Sequence, residues 1–356
     1  MKFAIDVKAA LSVRRSGIGN YIFNLVDHLI QLDEKNEYFL IAPNSNFISP
    51  FRLKSNFQIG SRYNLFNVLK VYDTTHGPDF KLPLVQAKRK IITIHDLASF
   101  ADQDFMSERS KALTREKVLK VVKSGSAIIT ISNTMKNQLE NDFPDTRGRI
   151  KTIYHGVNKN IRFVDDEAIR NSVKNKYKLP ESFLLFVGNI EIRKNLVTLF
   201  KAIKQLKDEY KSTYKLVIVG KEGWGFETSK KFIVENNLVD DIQILGWVDD
   251  NDLYTIYSLA GLFIFPSFYE GFGLPVIEAM KCKLPVISSD TPISREIAED
   301  AAVFFKTTNA EDLADKIFSI SSDEHQKNVL IKKGIERAGF FDWNKTARET
   351  LKFYEN

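Results

Sequence analysis

Cysteine is nearly absent: Cys282 stands alone in 356 residues. One thiol can form neither an intramolecular disulfide nor a Cys-based metal site, and such usage fits a reducing compartment. Long apolar runs are missing too. No stretch reaches 18 apolar residues, so no membrane span is predicted. Met1 to Val7 reads as a strand, not as a basic-then-apolar leader. The five histidines are scattered along the sequence and form no cluster. No low-complexity tract or short repeat interrupts the chain.

What is present is an ordinary globular composition. Hydrophobic residues make up 44%, enough for a sizeable core, and 356 residues suit two domains or one large α/β domain. The net charge of +6 is unevenly spread. Residues 1–178 hold 29 Lys+Arg against 18 Asp+Glu, whereas residues 179–356 hold 22 against 27. A basic first half suits a phosphate-bearing substrate, anionic lipid or a plain solvated surface, and charge alone does not choose. The basic residues lack the interleaved aromatics of RNA-binding surfaces, so nucleic acid ranks low as a partner.

Short β-branched runs alternate with helix-period segments. Strands are predicted at 2–7, 38–42, 91–95, 127–131 and 151–155, and again at 183–188, 215–220, 242–245, 262–265 and 285–288. Most are continuous apolar runs, as parallel strands covered on both faces require. Helices fit 18–32, 107–123, 194–208, 228–236 and 310–320. The alternation predicts an α/β chain with two Rossmann-like sheets. Residues 156–182 are polar and without a strong strand, which places the junction there. The expected domains are 1–160, 161–340 and a closing amphipathic helix within 341–356. Residues 44–90 are the least regular stretch, read as including a mobile loop.

The strongest chemical signal is EGFGLPVIE, residues 270–278, directly after the strand LFIFPS. Open α/β sheets place ligands at such carboxyl ends. Gly271 and Gly273 let backbone amides approach a ligand, and Pro275 suits the first turn of a helix running to about Lys281. Glu270 and Glu278 can accept hydrogen bonds from sugar hydroxyls. Read singly, either is a capping or surface acid; the whole string points to a ligand site. Arg193-Lys194-Asn195 follows strand 183–188 and opens a helix. Two cations there read as a diphosphate clamp, or as solvated first-turn residues, though cations disfavour a helix N-terminus without an anion. In SGIGNY, Gly17 and Gly19 offer backbone amides to phosphate or acceptor, or form an ordinary loop. His95 ends one strand, Ser132 follows the next, and Trp247-Val248 follows strand 242–245; Trp247 also reads as a core residue.

The nine-residue string resembles the donor-site motif of glycosyltransferase family 4, the large retaining family with the GT-B fold. The other landmarks follow in order over nearly the whole chain. The resemblance implies two Rossmann-like domains facing a cleft, with the last helix returning to the first domain. It implies a nucleotide-sugar donor as co-substrate, no cofactor, and front-face displacement with retention. Donor contacts then fall to Gly17, Gly19, Ser132, Asn189, Val248, Gly271, Phe272, Gly273, Leu274 and Glu278. His95, Arg193, Lys194 and Glu270 fall nearest the reacting centre. Many members carry Arg directly after the strand glycine; Asn189 stands there here, and Arg193 is placed to substitute. Ser132 reads equally as a helix N-cap or as a ligand contact. No Asp-x-Asp motif occupies the usual glycosyltransferase position between two strands, so a metal-independent reaction is expected.

HGPDFKLP (76–83), TIHDLASF (93–100) and VGNIEIRKN look like bacterial mannosyl- or deoxyhexosyltransferases of surface-polysaccharide assembly. That implies GDP-mannose as donor and a lipid-linked saccharide as acceptor. It also implies a cytoplasmic protein, peripheral on an anionic membrane surface. A nucleotide-sugar 2-epimerase and a non-catalytic nucleotide-sugar-binding protein remain as alternatives. A nicotinamide dehydrogenase ranks last, because no full Gly-x-Gly-x-x-Gly follows a first strand.

Overall fold

Phe183–Val187 and Leu262–Phe265 bury every residue. A strand apolar on both faces is stable only between two helical layers, and parallel sheets supply that setting. In the computed structural model, which describes residues 1–12, 15–43, 48–61, 70–212 and 214–356, two such sheets form. The chain divides into two units. The first comprises Met1–Phe100, Glu108–Asn158 and Phe341–Asn356; the second comprises Ala101–Ser107 and Lys159–Phe340.

The first unit holds a seven-stranded parallel sheet in the order β3-β2-β1-β4-β5-β6-β7. Its strands are β1 (Lys2–Asp6), β2 (Glu37–Ala42), β3 (Phe57–Ser61), β4 (Val71–Gly77), β5 (Gln86–Ile94), β6 (Ala127–Thr130) and β7 (Ile150–Thr152). Its helices are α1 (Gly17–Leu32), α2 (Glu108–Lys123), α3 (Asn133–Asp142) and, from the far end of the chain, α12 (Trp343–Glu355). Trp343, Ala347 and Tyr354 of α12 join the same core as Phe3, Tyr21 and Leu25. Thr74 Oγ1 donates to the Tyr354 carbonyl, which ties α12 to β4.

The second unit holds a six-stranded sheet in the order β10-β9-β8-β11-β12-β13. The strands are β8 (Phe183–Val187), β9 (Lys215–Val219), β10 (Ile242–Gly246), β11 (Leu262–Phe265), β12 (Val286–Ser289) and β13 (Ala302–Phe305). Helices α4 (Glu167–Tyr177), α5 (Leu196–Asp208), α6 (Phe226–Glu235), α7 (Asp250–Leu259), α8 (Leu274–Lys281), α9 (Pro292–Ala298), α10 (Ala310–Ser322) and α11 (Glu324–Gly339) complete it. Strand order reverses between β1 and β4 in one sheet and between β8 and β11 in the other. The loops leaving those strands open the crevice in which such sheets bind ligands.

Three strands escape the sequence reading. β3 and β4 lie inside 44–90, where irregular chain is expected, and β13 closes the second sheet. β4 reads VYDTTHG, and its Thr74, Thr75 and His76 are buried polar residues satisfied by distant partners. An apolar-run search cannot find such a strand. The part of the expected loop at 44–47 and 62–69 lies outside the described residues. The segment Ala101–Ser107 groups with the second unit although it falls inside 1–160. There Phe105 stacks against Phe268, with ring centroids 6.3 Å apart. Among the described residues, no helix is long and apolar enough to cross a membrane.

Candidate functional site

Two loops meet at the β8/β11 crevice of the second unit. The loop after β8 runs through Asn189 and Glu191 into a 3₁₀ turn, Ile192–Lys194, and then Asn195. Asn195 is left-handed (φ 56°) and buried. Its amide donates to the carbonyls of Pro266 (3.0 Å) and Thr307 (2.7 Å), while its oxygen accepts from Thr198 at 2.7 Å. The Phe268 N–H donates to the Arg193 carbonyl at 2.8 Å. These bonds hold the cation-bearing turn to the loop that follows β11.

The loop after β11 carries Glu270, Gly271, Phe272 and Gly273 into α8. Gly273 adopts φ 111°, which an L side chain resists, so glycine is required there by backbone conformation. Leu274 and Pro275 then form the first turn of α8. Phe272 is buried, so the approach to a ligand falls to backbone at this turn.

Arg193 and Lys194 both reach Glu270. Arg193 Nη1 lies 2.8 Å from Oε2, and Lys194 Nζ lies 2.5 Å from Oε1. Glu270 and Lys194 are nearly buried, with side chains 10% and 8% exposed. Burial pushes the Glu270 carboxyl up, but the charges of Lys194 and Arg193 outweigh it and hold the group below its ordinary range. On sequence alone, Glu270 is expected against a sugar and the two cations against phosphate. In this structure they serve each other as counter-ions. An unpaired buried charge would cost several kcal/mol, so each needs the other until a ligand arrives. The anion that excuses cations at this turn is therefore protein.

Glu191 completes the set, and the sequence reading overlooked it. It accepts from Arg193 Nε at 2.9 Å and from Asn189 Nδ2 at 3.1 Å. Its signal was present, as a carboxylate two residues ahead of the cation pair. Asn189 itself is exposed. Glu278, one turn into α8, faces the hydroxyl of Tyr257, which donates at 3.0 Å. Burial raises its pKa to about 7, against that hydrogen bond, with Asp250 adding to the rise. Val248 is buried and Trp247 is 50% exposed, so Trp247 is not the core residue that the alternative reading allowed. Cys282 is packed, with its thiol directed to the Arg162 carbonyl and its pKa pushed up to about 12 by burial.

In the first unit the expected residues separate. His95 ends β5 and is buried, with Nε2 2.8 Å from the Pro78 carbonyl. A carbonyl only accepts, so Nε2 carries the proton and Nδ1 keeps its lone pair. Burial holds the ring below its ordinary pKa despite Asp79 and Asp96, which leaves a neutral imidazole near pH 7. Ser132 caps α3, accepting from the Met135 N–H at 3.2 Å. Ser16 caps α1 and accepts from Gly19 N–H at 3.2 Å. Gly19 thus differs from expectation: its amide serves the cap, and a Cβ on it would stand 2.6 Å from the Ala9 carbonyl oxygen. Gly17 faces open space.

The histidines also gather in a way their spacing hides. His95 lies 5.7 Å from His155, and Tyr21 packs against both, at 4.9 and 4.7 Å between centroids. His76 Nε2 meets Thr93 Oγ1 at 2.8 Å, and its Nδ1 meets the Tyr354 hydroxyl at 2.6 Å. Burial lowers His76 to about 3, so this set is neutral near pH 7. Among the described residues, no three His, Cys, Asp or Glu side chains form a metal-holding group.

Residues 167–337 match the family described as Glycosyl transferases group 1. The O-antigen chain mannosyltransferase B of Escherichia coli is 27% identical over 281 residues, which is 79% of this chain and 73% of that protein. The serotype-specific mannosyltransferase WbdA of Escherichia coli is 28% identical over 62% of this chain, which spans only 28% of WbdA. Among solved structures, sucrose-phosphate synthase from Thermosynechococcus elongatus superposes with a TM-score of 0.76 at 20% identity, covering 99% of this chain and 98% of that one. Anabaena HepE in complex with UDP and glucose gives 0.73 at 14% identity, covering 100% and 99%. The two parallel sheets give the chain the GT-B fold of those structures, and residues 167–337, which include the glycine turn after β11, resemble Glycosyl transferases group 1.

Proposed function

We propose that the chain transfers mannose from GDP-mannose to a saccharide acceptor, with retention at the anomeric carbon and without a metal ion. The observation that carries this reading is the Arg193–Lys194–Glu270 set beside the Gly273 turn at the β8/β11 crevice. A leaving nucleoside diphosphate gains charge as the glycosidic bond breaks, and two positioned cations stabilise that charge. The diphosphate then shares Arg193 and Lys194 with Glu270, whose carboxylate turns toward the donor sugar. Glu278 accepts from the ribose hydroxyls, and the turn at Gly246–Val248 borders the base. The acceptor hydroxyl attacks from the face that the diphosphate leaves, and a diphosphate oxygen takes its proton. His95, neutral, orients the donor sugar.

Mannose is favoured because the relatives at 27% and 28% identity are mannosyltransferases. The O-antigen role of one of them supports a lipid-linked acceptor in lipopolysaccharide assembly. A cytoplasmic protein attached peripherally to an anionic inner-membrane face fits the basic first half of the sequence. The test is a donor panel of GDP-mannose, UDP-glucose, UDP-N-acetylglucosamine and dTDP-rhamnose, scored by thermal shift and donor hydrolysis. Selective stabilisation and turnover of GDP-mannose is expected. Response to a UDP- or dTDP-sugar alone would overturn the choice of sugar while leaving the family intact.

A further inference from the structure

β5 is longer than the strand on one of its sides. β4 pairs with it from Gln86 onward, but the β6 ladder begins only at Ile91, opposite Ala127. Residues 86–90 therefore overhang, and among the described residues no strand covers that edge. A single lysine on an open edge is the usual guard against unwanted strand pairing. Here three consecutive cations, Lys88, Arg89 and Lys90, form one wall of a cavity of about 440 Å³. The turns that lead into β6 and β7 supply the other walls, with Ser124, Ser126 and Arg149. Four cations and two serines thus line a space whose lining contains no carboxylate.

The two guanidiniums are fixed by neutral acceptors. Arg149 donates to the carbonyls of Ser126 at 2.9 Å and Val122 at 3.1 Å. Arg89 donates to the Phe353 carbonyl and lies 4.5 Å from the centre of the Phe353 ring. Such bonds orient a guanidinium without cancelling its charge. Of the lysines, Lys88 has an exposed pairing with Asp73 at 2.8 Å, of the kind that contributes little. Lys90 is exposed and makes no ion pair among the described residues. The contrast with Arg193 and Lys194 is direct, because there glutamates neutralise the cations. Gly125 and Gly148, both at positive φ, border the cavity, and a Cβ on either would meet nothing within 4 Å. Those walls are open backbone.

We propose that this cavity, at the amino edge of the first unit's sheet, binds a phosphate group, carried on an anionic lipid headgroup or on a small soluble phosphoester. Two fixed guanidiniums set the position, the exposed Lys88 and Lys90 close on the charge, and the Ser126 hydroxyl, which accepts from Ser124 Oγ at 2.8 Å, donates to a phosphate oxygen. His95 and Ser132 lie at the carboxyl ends of β5 and β6, so this site is separate from them. It does not depend on the donor reading, and either can fail alone.

The test uses the full chain and the double variant Lys88→Gln/Lys90→Gln, which alters only exposed side chains. The control is Lys117→Gln/Lys120→Gln, the same charge change on α2. Binding of glycerol 3-phosphate is measured by calorimetry. Co-sedimentation is measured with phosphatidylcholine vesicles, with and without phosphatidylglycerol. The Lys88/Lys90 pair should weaken binding roughly ten- to thirtyfold, while the control stays near wild type. Loss confined to glycerol 3-phosphate assigns a soluble ligand; loss on phosphatidylglycerol vesicles that glycerol 3-phosphate competes away assigns the lipid. Equal loss in both variants, or no binding of either probe by the wild-type chain, overturns the proposal.

Discussion

Glu278 offers the sharpest quantitative test. Burial lifts its pKa from 4.5 to about 7 in the folded chain. A displacement of that size corresponds to ~3 kcal/mol between its two protonation states. Because the folded value lies above the unfolded one, the folded chain holds an extra proton between them. Stability from this group is therefore fully present below about pH 4.5 and is lost as pH rises through about 7. Glu278→Gln is neutral at every pH and keeps an acceptor for the Tyr257 hydroxyl. Wild type and variant should melt together near pH 5. Above pH 8 the wild type should fall behind, by roughly 6–12 °C for a unit of this size. The assay is a thermal melt of both proteins from pH 5 to 8.5. A difference that stays flat across that range would refute the buried-carboxyl reasoning. A ribose contact adds a second expectation: wild-type donor KM should fall as pH rises through about 7, because the ionised carboxylate accepts better, while Glu278→Gln stays flat.

Three further outcomes follow from the ion network. Arg193→Ala and Lys194→Ala should each slow transfer roughly ten- to a thousandfold, and EDTA should leave activity intact; loss restored by Mg²⁺ would contradict metal-free transfer. Glu270→Gln should lower kcat and also stability by ~3 kcal/mol, since it leaves Lys194 buried without its counter-ion; unchanged melting and kcat would remove both roles. Glu191→Gln should raise donor KM several-fold with kcat nearly kept, because Arg193 loses its charged partner at Nε; steady-state kinetics against donor concentration checks the split.

The sequence carried the sheets better than it carried the site. β8 and β11 were legible because every residue in them is apolar, a pattern that survives without knowing any partner. β4 was hidden, since the polar groups of Thr74 and His76 are buried against partners that include Tyr354, 280 and 278 residues away. The glycine turn after β11 was visible as EGFGLP, and its position at a strand end follows from the apolar run before it. The pairing of Glu270 with Arg193 was not, because a separation of 77 residues is set by strand order rather than by local pattern. Charges can be counted in a sequence; which ones neutralise each other depends on topology. The histidines make the same point, for His95 and His155 reach each other only through the β5-β6-β7 arrangement.

The position of α12 bears on how the chain is made. Its Trp343, Ala347 and Tyr354 are part of the same core as Phe3 and Tyr21, and Tyr354 closes bonds to β4. On a ribosome, the unit that begins first therefore cannot finish until residue 354 has emerged. By then all of 159–340 has been synthesised and can fold on its own local contacts. The early unit waits as a partly built sheet with an uncovered apolar face, the state in which chains are most prone to misassociate. Trimming even the last two turns should therefore show itself as poor yield from cells before it shows itself as lost catalysis.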